Sequence, residues 1–241
     1  MSSPDAKRYQ ALLQAGRWFG GLPAELQEAL MAAALPRQLS SGQHLFSRGD
    51  PPDGLFAVVD GAMRITATTE GGKEALLTII EPPTWFGEIC VFDGRPRTHD
   101  AVADEAALVL QVPQPALDAI LEREPRYWRD IGRLVAAKLR LAFVTMEDIA
   151  SLPLAARLAR RLVLMAESYG EWHDRSRRVL EVRQEQLALM LSTSRQTVNQ
   201  LLKDLAAQGL VRLAYGQVDI VDLEGLRRAA GLEAAPPSPR S

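Results

Sequence analysis

Cysteine is almost missing from this chain of 241 residues: Cys90 stands alone and has no partner for an intramolecular disulfide. Histidine is nearly as scarce, and His44, His99 and His173 are too scattered for a zinc motif. One cysteine also cannot hold an iron–sulfur cluster. No nucleophile–base constellation, metal-ligand spacing or phosphate-cradling glycine loop is found, so the sequence argues against an enzyme. There is no apolar run of membrane length and no charged-then-apolar leader, which makes a cytoplasmic protein without membrane association the simplest expectation.

Strong net charge is missing too, but the formal value of −2 hides an asymmetry. Residues 1–150 carry 15 Lys+Arg against 20 Asp+Glu, whereas residues 151–230 carry 12 against 9. Only the C-terminal part is electrostatically suited to a phosphate backbone. The length suggests two domains, and hydrophobic residues at 47% supply ample core. Met1–Lys7 and the AAPPSPRS-containing stretch Glu233–Ser241 read as disordered.

What is present most clearly is a two-helix device near the C-terminus. Glu185–Leu191 places Leu187, Ala188 and Leu191 on one helical face. Ser192, Thr193 and Ser194 break the helix, and Thr193 with Gln196 fits a capping box that restarts it. Val198, Leu201, Leu202 and Leu205 then recur at helical spacing, and Gly209 is the stop signal. Beyond it, Leu210–Leu213 and Gln217–Val221 are β-prone runs joined by Ala214, Tyr215 and Gly216, a hairpin wing. The pattern predicts a winged helix-turn-helix.

Its exposed face carries side chains able to read base edges. Arg clamps guanine O6 and N7, and Asn or Gln pairs with adenine N6 and N7. Arg195, Gln196 and Asn199 are of those types, Lys203 is better placed for phosphate, and Gln184, Ser194 and Gln200 complete the candidate DNA-binding set.

The N-terminal half has another grammar. Helical stretches at Tyr9–Phe19 and Pro23–Ala33 precede short strand-like runs at Leu55–Val59, Met63–Thr68, Ala75–Ile80 and Ala106–Val112. Turn signals such as Gly42, Gly49–Gly54, Asp60-Gly61, Gly71-Gly72, Pro82-Pro83 and Asp93-Gly94 separate them, predicting a β-sandwich or barrel-like roll. Within it, Phe86–Thr98 has the chemistry a cyclic nucleotide needs. Arg97 can fork to phosphate oxygens, Thr98 can donate, Glu88 can accept from a ribose hydroxyl, and Gly87 lets backbone approach closely. The bland alternative is that Glu88 and Arg97 pair with each other across the roll.

Between the halves, Pro125–Ala150 can form one helix with Trp128, Ile131, Val135, Leu139, Ala142, Met146 and Ile149 spaced by threes and fours, a seam for a second copy. Ser151–Pro153 reads as a hinge, followed by a helix from Leu154 to about Tyr169.

These motifs together resemble the Crp/Fnr family of transcription regulators over residues 9–230. The likeness rests on G-D-P-P-D-G-L-F-A-V-V-D-G in the roll, F-G-E followed after eight intervening residues by R-T, and S-R-Q-T-V-N-Q-L-L-K in the second helix. The resemblance implies an α+β chain: an N-terminal β-roll (jelly-roll) of the cyclic-nucleotide-binding type over 1–124, a dimerisation helix over 125–150, a winged helix-turn-helix over 151–232 and a tail over 233–241. It implies an effector site at Gly87, Glu88, Ile89, Arg97, Thr98 and His99, and adds Phe143 to the dimer seam. It further implies a homodimer on palindromic promoter DNA, with RNA polymerase as a partner.

Three departures bear on these expectations. His99 replaces the small residue that usually follows the Arg-Thr pair, and Ala142 and Phe143 stand where the cyclic-AMP receptors carry paired hydroxyls that contact adenine. The effector is therefore expected to be a nucleotide or another anionic small molecule, with cyclic AMP disfavoured and haem through His99 or Cys90 a weaker alternative. Ser192 replaces the usual turn glycine, which is tolerable if its dihedrals are not left-handed. The expected mechanism has an effector repack the long helix, the hinge then setting two recognition helices roughly 34 Å apart. Two rivals stay open: a regulatory module acting on a protein partner, and a DNA-binding regulator whose roll takes no ligand.

Overall fold

The computed structural model describes residues 8–68, 74–171, 176 and 178–232. The expected disordered ends, the Gly71-Gly72 turn and His173 lie outside them. The chain divides into two compact units. One holds the described residues up to Ala142 together with Gly170–Glu171; the other holds Phe143–Tyr169 and the described residues from 176 onward.

The first unit opens with α1 (Gln10–Gln14), α2 (Arg17–Gly20) and α3 (Ala24–Ala33). The helix expected over Tyr9–Phe19 is thus broken, because Gly16 takes an extended conformation and restarts the chain as an N-cap. The roll follows as β1 (Leu35–Leu39), β2 (His44–Phe46), β3 (Gly54–Asp60), β4 (Met63–Thr68), β5 (Glu74–Ile80) and β6 (Trp85–Phe86). The short α4 (Ile89–Asp93) leads to β7 (Asp100–Ala103) and β8 (Ala107–Pro113). These strands make two four-stranded sheets, ordered β1-β8-β3-β6 and β2-β7-β4-β5.

The continuous apolar run of β3 reflects its central place, since Gly54 through Val59 are all buried. Pro36 is accommodated because β1 is an edge strand. Gly54 has φ +136°, and a Cβ there would lie 2.1 Å from the Val112 carbonyl oxygen, so the entry into β3 demands glycine. Phe46, Phe56 and Phe86 pack between the sheets. A second cluster forms against the helices, where Trp85 stacks on Phe19 and meets Trp18 edge-on.

Helix α5 (Gln114–Arg123) and a single 3-10 turn at Pro125–Tyr127 precede the long α6 (Trp128–Ser151). The α-helix proper therefore starts at Trp128 rather than Pro125. Ile131 and Leu134 are fully buried in the core of the first unit. Ile131, expected on an outward seam, faces inward instead: its turn of the helix covers the roll before the outward stripe begins. The boundary between the units falls inside this helix.

In the second unit, Pro153 precedes α7 (Leu154–Ala166), which ends three residues short of Tyr169. Asp148 pairs with Arg160 at 3.1 Å, tying the end of α6 to α7. The strand β9 (Val179–Leu180) leads to α8 (Gln184–Met190), α9 (Arg195–Ala207), the hairpin β10 (Val211–Ala214) and β11 (Gln217–Ile220), and α10 (Leu223–Ala229). Leu158, Leu162, Leu187, Val198, Leu202, Leu205, Val218 and Leu226 are buried. Among the described residues no helix is long and apolar enough to cross a membrane.

Candidate nucleic-acid interface and effector site

The second helix of the C-terminal pair begins differently from the sequence expectation. Its N-cap is Ser194, whose Oγ accepts from the Thr197 backbone N–H at 3.0 Å, so the Thr193–Gln196 capping box does not form. One half of such a box appears one helix earlier, where the Gln186 side chain accepts from the Arg183 N–H at 2.8 Å. Freed from capping, Gln196 is exposed beside Arg195, Gln200 and Lys203, with Asn199 half-buried. Ser192 has φ +52°, the left-handed conformation the sequence reading had required it to avoid. The tight α8–α9 turn imposes it, with the Thr193 N–H bonded back to the Ala188 carbonyl.

The exposed face is lightly organised by α8. Glu185 holds Arg195 at 2.9 Å with both side chains more than half exposed, and Gln184 Nε2 lies 3.5 Å from Asn199 Oδ1. The wing pairs Val211 with Ile220 through Ala214 with Gln217, which leaves Tyr215 and Gly216 as the tip. Tyr215 is fully exposed. β9 adds a third strand, pairing with β11.

In the roll, the cassette residues come together with partners other than those expected. Glu88 and Arg97 do not pair. Glu88 is buried and its Oε2 accepts from Lys138 Nζ at 2.7 Å; the same ammonium donates to the Trp85 carbonyl at 2.7 Å. Arg97, 3% exposed, is ion-paired with Asp53 at 2.5 Å and donates to the carbonyls of Gly54 at 2.8 Å and Gly87 at 3.0 Å. Its guanidinium carbon lies 4.3 Å from the centre of the Phe46 ring. Gly87 has φ +94°, and a Cβ there would stand 2.9 Å from Arg97 Nη1, so this glycine makes room for the guanidinium.

Thr98 and Ile89 are exposed, and Thr98 Oγ1 lies 2.8 Å from His99 Nδ1. Burial, reinforced by the Arg48 guanidinium and opposed by Asp100, holds the His99 imidazole below its ordinary value. Burial pushes the Cys90 thiol up despite nearby Arg97.

Asp53 and Lys138 were missed in the sequence. Asp53 lies in the G-D-P-P-D-G turn and Lys138 between seam positions of the helix, so neither carries a local signal of its partner.

Against this geometry, a cyclic nucleotide-binding domain family matches residues 36–124 and a Crp-like helix-turn-helix domain family matches residues 156–229. The CRP-like cAMP-activated global transcriptional regulator of Mycobacterium tuberculosis is 31% identical, covering 92% of this chain and 99% of the relative. The chain belongs to the Crp/Fnr family of transcription regulators. The cyclic AMP receptor protein of Thermus thermophilus is 30% identical over 89% of this chain and 94% of its own. A crystal structure of another Crp/Fnr-family regulator from that organism aligns with a TM-score of 0.64 at 25% identity, over 82% of this chain and 98% of that one. As a Crp/Fnr member, the chain is a DNA-binding transcription regulator with a cyclic nucleotide-binding-type domain.

Proposed function

We propose that this regulator binds a palindromic promoter site as a homodimer, reads it with the N-terminal half of α9, and answers to an anionic small molecule in the roll. The observation that carries the readout is Ser194 capping a helix whose next exposed side chains are Arg195, Gln196, Gln200 and Lys203. Arg195 is assigned a guanine contact and Asn199 and Gln196 adenine-type contacts; Ser194 and Lys203 are assigned phosphate contacts, with Gln184 buttressing Asn199 and Gln200 at the rim. The basic excess over 151–230 supplies the salt-dependent part of the affinity.

The dimer reading rests on α6. Leu139, Phe143, Met146 and Ile149 are 52%, 59%, 63% and 62% exposed along one helix, a stripe that a second copy would cover about a two-fold axis. Val135 and Ala142 line its course, and Trp128 meets exposed Phe92 edge-on at its start. Two-fold symmetry would make the operator a palindrome, and the likeness to other regulators of this family supports RNA polymerase as the partner at a promoter. The effector region comprises Gly87, Glu88, Ile89, Arg97, Thr98 and His99, within a sensing domain over 1–124, with α6 as the dimer helix and 151–232 as the DNA-binding domain. Neither Ala142 nor Phe143 has a side-chain donor or acceptor, which disfavours adenine recognition of the cyclic-AMP receptor kind.

A second reading, in which the roll takes no ligand, is favoured by the Asp53 carboxylate already seated on Arg97. Selection of bound DNA from a random pool, with and without small-molecule extract, tests the scheme. A two-fold symmetric consensus is expected, and discrimination left intact in Arg195→Ala overturns the assigned readout.

A further inference from the structure

The backbone around Thr98 and His99 is pinned on both sides. The Arg97 N–H donates to the Asp50 carbonyl and the Arg97 carbonyl accepts from the Gly49 N–H, each at 2.8 Å. One residue past His99, Asp100 Oδ1 accepts from the Arg48 N–H at 2.8 Å. The turn after β2 is thus stitched to the chain before and after the pair, and it is braced by the Ser47 N–H donating to Asp50 Oδ2 at 2.7 Å. In that frame the exposed Thr98 hydroxyl meets the half-buried His99 ring, Oγ1 to Nδ1 at 2.8 Å.

Two opposite hydrogen bonds fit this contact. A neutral imidazole protonated on Nε2 presents a bare Nδ1, which takes the hydroxyl hydrogen and leaves Thr98 only lone pairs to show a ligand. An imidazole protonated on Nδ1 donates to Oγ1 instead, and the hydroxyl hydrogen turns outward. Imidazolium, with both nitrogens protonated, permits only this second arrangement. An anionic oxygen has no hydrogen to give, so the first arrangement sets oxygen against oxygen and only the second offers it a bond.

The charges bearing on the ring are Arg48, from the turn after β2, and Asp100, at the head of β7. Arg48 disfavours the second proton and Asp100 favours it, while burial sides with Arg48. An anion seated at Thr98 adds a further charge whose sign favours the proton.

We propose that His99 sets the polarity of the Thr98 hydroxyl: its Nδ1–H, donated to Thr98 Oγ1, turns the hydroxyl hydrogen toward the anionic group of the effector, and binding tightens as the ring gains its second proton. The proposal rests on the effector reading above. It makes His99 a positioning residue acting through Thr98, and it selects an acceptor-only group such as a phosphodiester over a group that must itself donate. Effector affinity is thereby tied to pH in the range where histidine titrates, whereas a cyclic phosphodiester keeps its single charge throughout that range.

The test is calorimetry on the full-length protein and its His99→Ala variant with the four common 3′,5′-cyclic nucleotides. Affinity in the parent is expected to rise about fivefold from about pH 8 to about pH 5.5, and to stay level in His99→Ala, whose Thr98 hydroxyl rotates freely. Nitrogen-15 resonances of the His99 ring in the saturated parent should show Nδ1 protonated at both pH values. The same pH dependence in both proteins overturns the role of His99 and leaves the anion site standing. A bare Nδ1 in the complex overturns the route through Thr98. Binding by neither protein, with both folded, overturns the anion site and the proposal with it. Should His99→Ala fail to fold, the ring resonances of the parent decide, titrated free and in the presence of saturating nucleotide. The ligand raises the midpoint if the proposal holds; an unmoved midpoint, or no saturation at all, overturns it.

Discussion

Lys138 of the long helix reaches Glu88 of the roll at 2.7 Å, and the Glu88 side chain is only 4% exposed. Burying a carboxylate that deep is costly without a partner, and the Lys138 ammonium serves it and the Trp85 carbonyl together. Lys138→Met keeps the aliphatic stem but strands the charge of Glu88. It is expected to destabilise the protein by about 2 to 3 kcal/mol, somewhat below the range for a fully buried pair because Lys138 is partly exposed. The double variant Lys138→Met with Glu88→Gln should recover much of the loss. Urea unfolding measures both, and an unchanged midpoint in the single variant removes the pair as a stabilising contact.

Ser192 invites the opposite kind of substitution. Its φ of +52° places Cβ where a non-glycine residue is strained, and the residue is exposed, so no packing offsets the strain. Ser192→Gly relieves it at the cost of a more flexible unfolded chain. A net gain of about 0.5 to 1 kcal/mol is expected for unfolding of the C-terminal unit, read as an upward shift in its melting temperature. A fall would mean that the serine hydroxyl supplies a compensating bond.

How much of this was legible in the sequence follows from how local each signal is. The strands at 55–59, 63–68, 75–80 and 106–112 were bounded by glycine and proline, and they appear within a residue or two. The strands at Leu35–Leu39, His44–Phe46, Trp85–Phe86 and Asp100–Ala103 were missed because they are short or carry proline, and pairing across the sheets creates them. The helix pair was legible because both helices are amphipathic, yet the cap fell on Ser194 rather than Thr193: hydroxyls in series offer equivalent caps until the turn geometry chooses. Glu88 and Arg97 were singled out as ligand-binding residues, with a pair between the two as the alternative, and that pair does not form. Their actual partners lie 50 and 44 residues away in sequence, beyond any periodicity argument.

His99 should give the roll a pH-dependent stability. Burial, with Arg48 adding to it, lowers the imidazole's folded-state pKa below the ordinary 6.5, Asp100 opposing. The unfolded chain therefore binds the proton more readily than the folded one. The stabilisation is present above the ordinary value and is lost as the pH falls through the depressed folded value. His99→Gln removes this part of the dependence. Urea midpoints taken between about pH 7.5 and about pH 5 should fall less steeply in the variant than in the parent. Parallel curves would show that other groups carry the acid sensitivity.

The exposed stripe on α6 gives the most direct test of assembly. Leu139, Phe143, Met146 and Ile149 leave more than half of each side chain in water, an arrangement that four large apolar residues on one helix hold at a cost unless something covers them. If a second copy does so about a two-fold axis, any charge placed at the centre of the stripe is set against its own image. Met146→Glu should then weaken self-association on the order of a thousandfold while leaving the fold of each unit unchanged, because the residue touches no core. Sedimentation equilibrium distinguishes dimer from monomer. In the same variant, binding to a full palindrome should fall toward the level of a single half-site, since the second recognition helix no longer arrives with the first. A variant that remains dimeric would move the interface away from this stripe, and one that is monomeric yet binds the palindrome undiminished would separate assembly from DNA recognition.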